Sequence, residues 1–155
     1  MTFYSVVKAL HIMAAFAAYG LPFAYPFLLP YLHRHHPEAL PGVHDIQHRL
    51  NIVLTGPGTI LLFLFGTYMA TKNHLWSEAW VDVPIAILAI IVAAGGLIVR
   101  WTGELAQLSA TDISTGSTTF SAAYTTTYHR YLATETLLGL LVLIAIFFMT
   151  AKPFA

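Results

Sequence analysis

The stretch Phe3-Tyr4-Ser5-Val6-Val7-Lys8-Ala9-Leu10-His11-Ile12-Met13-Ala14-Ala15-Phe16-Ala17-Ala18-Tyr19-Gly20 begins an apolar run that lasts to about Leu29. A helix rises 1.5 Å per residue, so about 20 residues cross a hydrocarbon core of about 30 Å. The run 3–29 is long enough, and it predicts a transmembrane helix. One histidine, His11, sits about two turns inside it. Burying an ionisable group at membrane depth costs several kcal/mol unless it is partnered, so such a residue marks a functional-site candidate.

Three more runs of the same kind follow, at about 50–70, 81–103 and 131–151. The expected fold is all-α, a four-transmembrane-helix bundle, with residues 1–155 forming a single integral membrane domain. Pro22, Pro26 and Pro30 predict a kinked or unwound end to the first span, because proline removes a helix hydrogen bond and crowds the preceding turn. Gly56-Pro57-Gly58 punctuates the second span, Pro84 suits the first turn of the third, and Lys152-Pro153 stops the fourth. Trp76, Trp80 and Trp101 mark span ends.

Composition agrees. The chain is 57% hydrophobic and 9% charged, with mean hydropathy +0.70; soluble domains carry roughly 25% charged residues. Seven basic and seven acidic side chains give zero net charge, which excludes nucleic acid as a partner for lack of a basic patch. The absence of cysteine excludes disulfides, thiolate zinc sites, iron–sulfur clusters and c-type haem attachment. No basic segment precedes the first apolar run, so it reads as a retained helix and not a signal peptide. An even number of spans puts both termini on one side, with Lys8, Lys72 and Lys152. Arg34, Arg49, Arg100 and Arg130 lie on the other side, and a difference of one charge leaves the orientation open.

The connections read as loops. Residues 31–49 carry His33, His35, His36, His44 and His48. Residues 104–130 are rich in Ser and Thr and end in Tyr124, Tyr128 and Tyr131, whose spacing suggests an interfacial helix feeding the fourth span.

Candidate chemistry starts at His11. Ala14, Ala15 and Ala18 share its helix face, a shallow surface beside a ligand nitrogen that suits a flat macrocycle. The same pattern also describes small-residue helix packing with a histidine bonded to its neighbour. Lys8, one turn earlier, would meet a propionate or snorkel to the interface. His44 and His48 are four apart and share a face if helical, and His129 should reach the same membrane surface. Together they form a candidate metal set, with Asp45 as an outer acceptor, or else they are solvated loop residues. His11 lies roughly 15 Å deeper than these, too far to share a metal with them. Glu135, between Thr134 and Thr136, is the candidate proton-handling group, since it has few charges nearby. Arg100 and Glu104 read as a structural pair.

Val7-Lys8-Ala9-Leu10-His11-Ile12 resembles the opening of the HemJ-type protoporphyrinogen oxidases, small four-helix membrane proteins. His48-Arg49-Leu50, then Pro57, then Leu64-Phe65-Gly66, resembles their second helix. The resemblance implies haem b, with His11 as the iron ligand and Lys8 and Arg49 as further cofactor-binding candidates. One element departs. Trp80 is followed by Val81-Asp82-Val83-Pro84, where those proteins carry a lysine, so the resemblance extends to haem binding and leaves the oxidoreductase activity open. The overall layout and the closing Met149-Thr150-Ala151-Lys152-Pro153 look like an uncharacterised family of bacterial predicted integral membrane proteins, distantly similar to the HemJ type and to the CopD membrane domain. That resemblance implies the bacterial inner membrane.

The expected function is a haem b-binding integral membrane protein with a redox or electron-transfer role. The alternatives are a non-catalytic accessory subunit of a larger membrane complex, and metal-ion (copper) handling through His44, His48 and His129. The expected partners are the lipid bilayer and either further copies of this chain or other membrane subunits.

Overall fold

The structure is a computed structural model and describes residues 2–116 and 119–153. Among them there are six α-helices and no strand: α1 (Phe3–Tyr19), α2 (Tyr25–His35), α3 (Leu40–Leu50), α4 (Gly56–Lys72), α5 (Ala79–Ser114) and α6 (Ala122–Ala151). A 3₁₀ turn at Pro22–Ala24 joins α1 to α2, another at Pro37–Ala39 leads into α3, and a π turn at Asn51–Thr55 joins α3 to α4. The result is four long rods, Phe3–His35, Pro37–Lys72, Ala79–Ser114 and Ala122–Ala151, each long and apolar enough to cross a membrane. The proline series therefore deforms the first rod without ending it.

The rods overrun their apolar windows. The predicted loops at 31–49 and 104–130 are mostly helix, and only short connections separate the rods. Hydropathy reports where lipid contact ends, not where backbone hydrogen bonding ends. A rod of 36 residues is about 54 Å long against about 30 Å of hydrocarbon. The helices thus carry their own polar extension on the side of His36 and Gly116.

Each rod buries one stripe. On α1 it is Val7, His11, Ala14 and Ala18; on α6 it is Tyr124, Tyr128, Tyr131, Glu135 and Val142. These four-then-three steps hold one face inward along a helix. The three tyrosines are thus core residues and not an interfacial helix: Tyr25, Leu29, Leu40, Ile98 and Leu105 pack with them in the polar half of the bundle. In the other half Ala18, Tyr19, Ile87, Ile91 and Val142 form a smaller core. There α1 lies along α4 and α5 along α6, while α4 and α5 scarcely meet. That gap positions the candidate site.

Candidate functional site

His11 is 8% exposed and its Nδ1 lies 3.1 Å from the carbonyl oxygen of Leu62. A carbonyl only accepts, so Nδ1 carries the proton and Nε2 keeps its lone pair. Room for the ring comes from Gly66, where an added Cβ would stand 3.1 Å from His11 Cε1. Ala18 is pressed on Gly58 in the same seam, with 3.0 Å between its Cβ and one added at Gly58. The alanine face is therefore occupied by helix packing against α4.

The other histidines are dispersed. His44 is fully buried, with Nδ1 donating to Gln47 Oε1 at 2.8 Å and Nε2 accepting from the Tyr124 hydroxyl at 3.1 Å. Gln47 Nε2 donates in turn to the Tyr131 hydroxyl at 3.1 Å. His48 donates through Nδ1 to the Val99 carbonyl at 2.9 Å, and His129 is exposed. The spacing of four does put His44 and His48 on one helix, but α6 engages the first and α5 the second. Among the described residues no three of His, Asp and Glu gather into a metal-holding group. Asp45 bonds Arg49 at 2.8 Å on the exposed surface, and Lys8 is exposed. Arg100 and Glu104 form no ion pair, since the pairs among the described residues are His36–Glu38 and Asp45–Arg49.

The polar groups left over meet elsewhere. A cavity of about 300 Å³ lies in the gap between the α1–α4 pair and the α5–α6 pair. Its wall is mostly apolar, with polar side chains from Tyr19, Asn51, Thr55, Thr59 and Glu135. Gly95 and Gly96 face open space, with no atom within 4 Å of where a Cβ would stand. Ile60 on α4 and Val92 on α5, both highly exposed, form its rim, so it opens sideways toward the lipid.

Tyr19 and Thr59 line one side and satisfy each other. Thr59 donates to the Thr55 carbonyl at 2.7 Å, so the Tyr19 hydroxyl donates to Thr59 at 2.8 Å. Thr55, half-buried, makes no side-chain hydrogen bond among the described residues, and two almost wholly buried lining side chains have no partner either. Glu135 is 7% exposed and makes no hydrogen bond or ion pair among the described residues. Asn51 is 7% exposed, and its Nδ2 is sealed from solvent without an acceptor. Buried polar groups are bonded in the great majority of cases, and each exception calls for a cause.

Glu135 was legible as a carboxyl inside a span. Asn51 was missed, although Asn51, Thr55 and Thr59 form a polar stripe at intervals of four through an apolar run.

The family of predicted integral membrane proteins designated DUF2269 matches residues 5–153. No curated protein and no solved structure matches the chain. The chain belongs to that family and is an integral membrane protein.

Proposed function

We propose that this member of the predicted integral membrane protein family takes a membrane-dissolved molecule into the cavity between α4 and α5, where Glu135 exchanges a proton with it. One observation carries the reading: Glu135 and Asn51, each almost wholly buried and unpartnered, open on the same apolar cavity. Concave apolar sites with a few convergent polar groups are the usual form of a ligand site. The lateral opening makes the bilayer the source of the ligand. A carboxyl with no fixed cation beside it is free to take up and release a proton as its occupant changes.

A lipid-soluble carbodiimide tests this, because it reacts with protonated carboxyls reached from the membrane. In native membranes dicyclohexylcarbodiimide should modify Glu135, and a water-soluble carbodiimide should leave it intact. Gly96→Leu, which fills the wall, should slow the labelling several-fold at an unchanged thermal midpoint. No modification of Glu135 by the lipid-soluble reagent removes the reading.

A second reading, haem b held by His11, is favoured by a separate observation. The Leu62 carbonyl fixes the proton on Nδ1, and Nε2 has no partner among the described residues, which is how metal-binding histidines are held by their outer partners. The ligand atom fits; the alanine surface does not, because Gly58 and α4 cover it. Haem b would supply one-electron chemistry there. An absorption spectrum of the purified protein decides: a Soret band lost in His11→Ala and kept in His48→Ala supports the reading, and no band ends it.

A further inference from the structure

We infer that the cavity's ligand is a neutral, hydroxyl-bearing flat lipophile, a membrane-soluble phenol or quinol; this rests on the ligand-binding reading of the same cavity given above.

The inference follows from which donors and acceptors are unfilled. The Asn51 amide makes no hydrogen bond among the described residues, and its Nδ2 is the buried orphan. A half-turn about χ2 exchanges its oxygen and nitrogen, so the amide offers either a donor or an acceptor to the cavity. Glu135 accepts when ionised, and both donates and accepts when neutral. A hydroxyl also does both, so one hydroxyl pairs with either group in either protonation state of Glu135.

Other chemistries leave a deficit. A plain hydrocarbon leaves both groups unpaired. A lipophilic cation pairs with Glu135 but gives the amide nitrogen no acceptor. An anionic headgroup would face Glu135 with no Lys or Arg in the wall to balance it.

Shape points the same way. Gly95 and Gly96 give one wall no side chains. Phe23 also lines the cavity, and its ring lies over Gly139, 3.6 Å from the position of an added Cβ. The lining thus offers a flat ring both a stretch of bare backbone and an aromatic side chain, with which stacked and edge-on contacts are favourable.

The test uses the full chain in detergent and reads the protection of Glu135 from dicyclohexylcarbodiimide. The probes are 2,3,5-trimethylphenol, its methyl ether and tetraphenylphosphonium. Phenol and ether share a ring and differ in one donor. The phenol should give half-protection at about one-tenth of the ether's concentration, since one buried hydrogen bond is worth about tenfold in affinity. Asn51→Leu, which replaces the orphan with an apolar side chain of similar size, should raise the half-protecting concentration of phenol and ether alike, since either oxygen accepts from Nδ2, and should leave the phenol's advantage, which comes from donation to Glu135, in place at an undiminished thermal midpoint. Equal protection by phenol and ether overturns the hydroxyl requirement, as does strongest protection by the phosphonium cation. In both cases lateral access to Glu135 stands. Protection by none of the probes also overturns it. If Glu135 is never labelled, the underlying cavity reading falls as well.

Discussion

His11 and His48 stand on successive rods and perform one task twice. Each donates through Nδ1 to a backbone carbonyl 51 residues further along the chain, Leu62 for the first and Val99 for the second. Each ring rests on a glycine one turn past its acceptor, Gly66 and Gly103, where an added Cβ would come within 3.1 Å of the ring's Cε1. The second arrangement is the first displaced along the chain. It docks the first rod on the second, and the second on the third.

The glycines are therefore predicted to be intolerant of even one carbon. Gly66→Ala and Gly103→Ala should each destabilise by about 1–3 kcal/mol, the usual cost of overpacking a close contact. Gly42 is the control: it is in a helix with no atom within 4 Å of an added Cβ. Gly42→Ala should stabilise by about 0.4–1 kcal/mol. Detergent-denaturant titrations of the three variants check the signs.

The two histidine contacts should be energetically independent. They lie about 20 Å apart along the second rod, at a rise of 1.5 Å per residue. His11→Ala and His48→Ala are expected to add in the double variant to within about 0.5 kcal/mol. A larger coupling would mean that the rods do not dock separately.

The polar end should behave in the opposite way. Tyr124, His44, Gln47 and Tyr131 form one chain of hydrogen bonds among buried groups. Tyr124→Phe and Gln47→Leu are each expected to cost about 1–3 kcal/mol, because each leaves a buried partner unmatched. Together they should depart from additivity by about 0.5 kcal/mol or more, since both remove a partner of the same buried His44 ring. A double-mutant cycle on thermal unfolding measures the difference.

Arg49 separates a surface role from a cofactor role. It bonds Asp45 four residues earlier, and both side chains are largely exposed. Exposed pairs of this kind contribute little. Arg49→Ala should leave the unfolding midpoint and any visible absorption spectrum unchanged. A spectral change would return Arg49 to the cofactor set that the resemblance to the HemJ type implied.

The bundle was legible because hydrophobic runs of membrane length admit few alternatives. Rod length was not, because the polar extensions have no hydropathy signature: Tyr124 and Tyr131 look like an interface, yet they pack inward on Leu29 and Leu40. Glu135 was legible as an isolated carboxyl. The partner of His11 was invisible, because a backbone carbonyl carries no residue-type signal. The cavity was invisible too, since it exists only because α4 and α5 stand apart. Asn51 could have been found from its stripe with Thr55 and Thr59.

The π turn at Asn51–Thr55 has a rotational consequence. The Gly56 N–H bonds the Asn51 carbonyl five residues back, and the wider turn suits Pro57, which has no N–H to give and whose ring crowds the carbonyl four residues before it. His48 and Gly66 are eighteen positions apart, about five whole turns of an ideal helix, so a regular rod would point both the same way. The one surplus residue rotates the lower segment by about 100° relative to the upper. His48 then meets α5 while Gly66 meets α1, neighbours on two different sides. Wound as a regular helix, the same residues would point His48 and Gly66 to one side and leave the second rod able to serve only one of its two flanking helices, whereas deleting a single residue from this turn would remove the bulge and keep the phase.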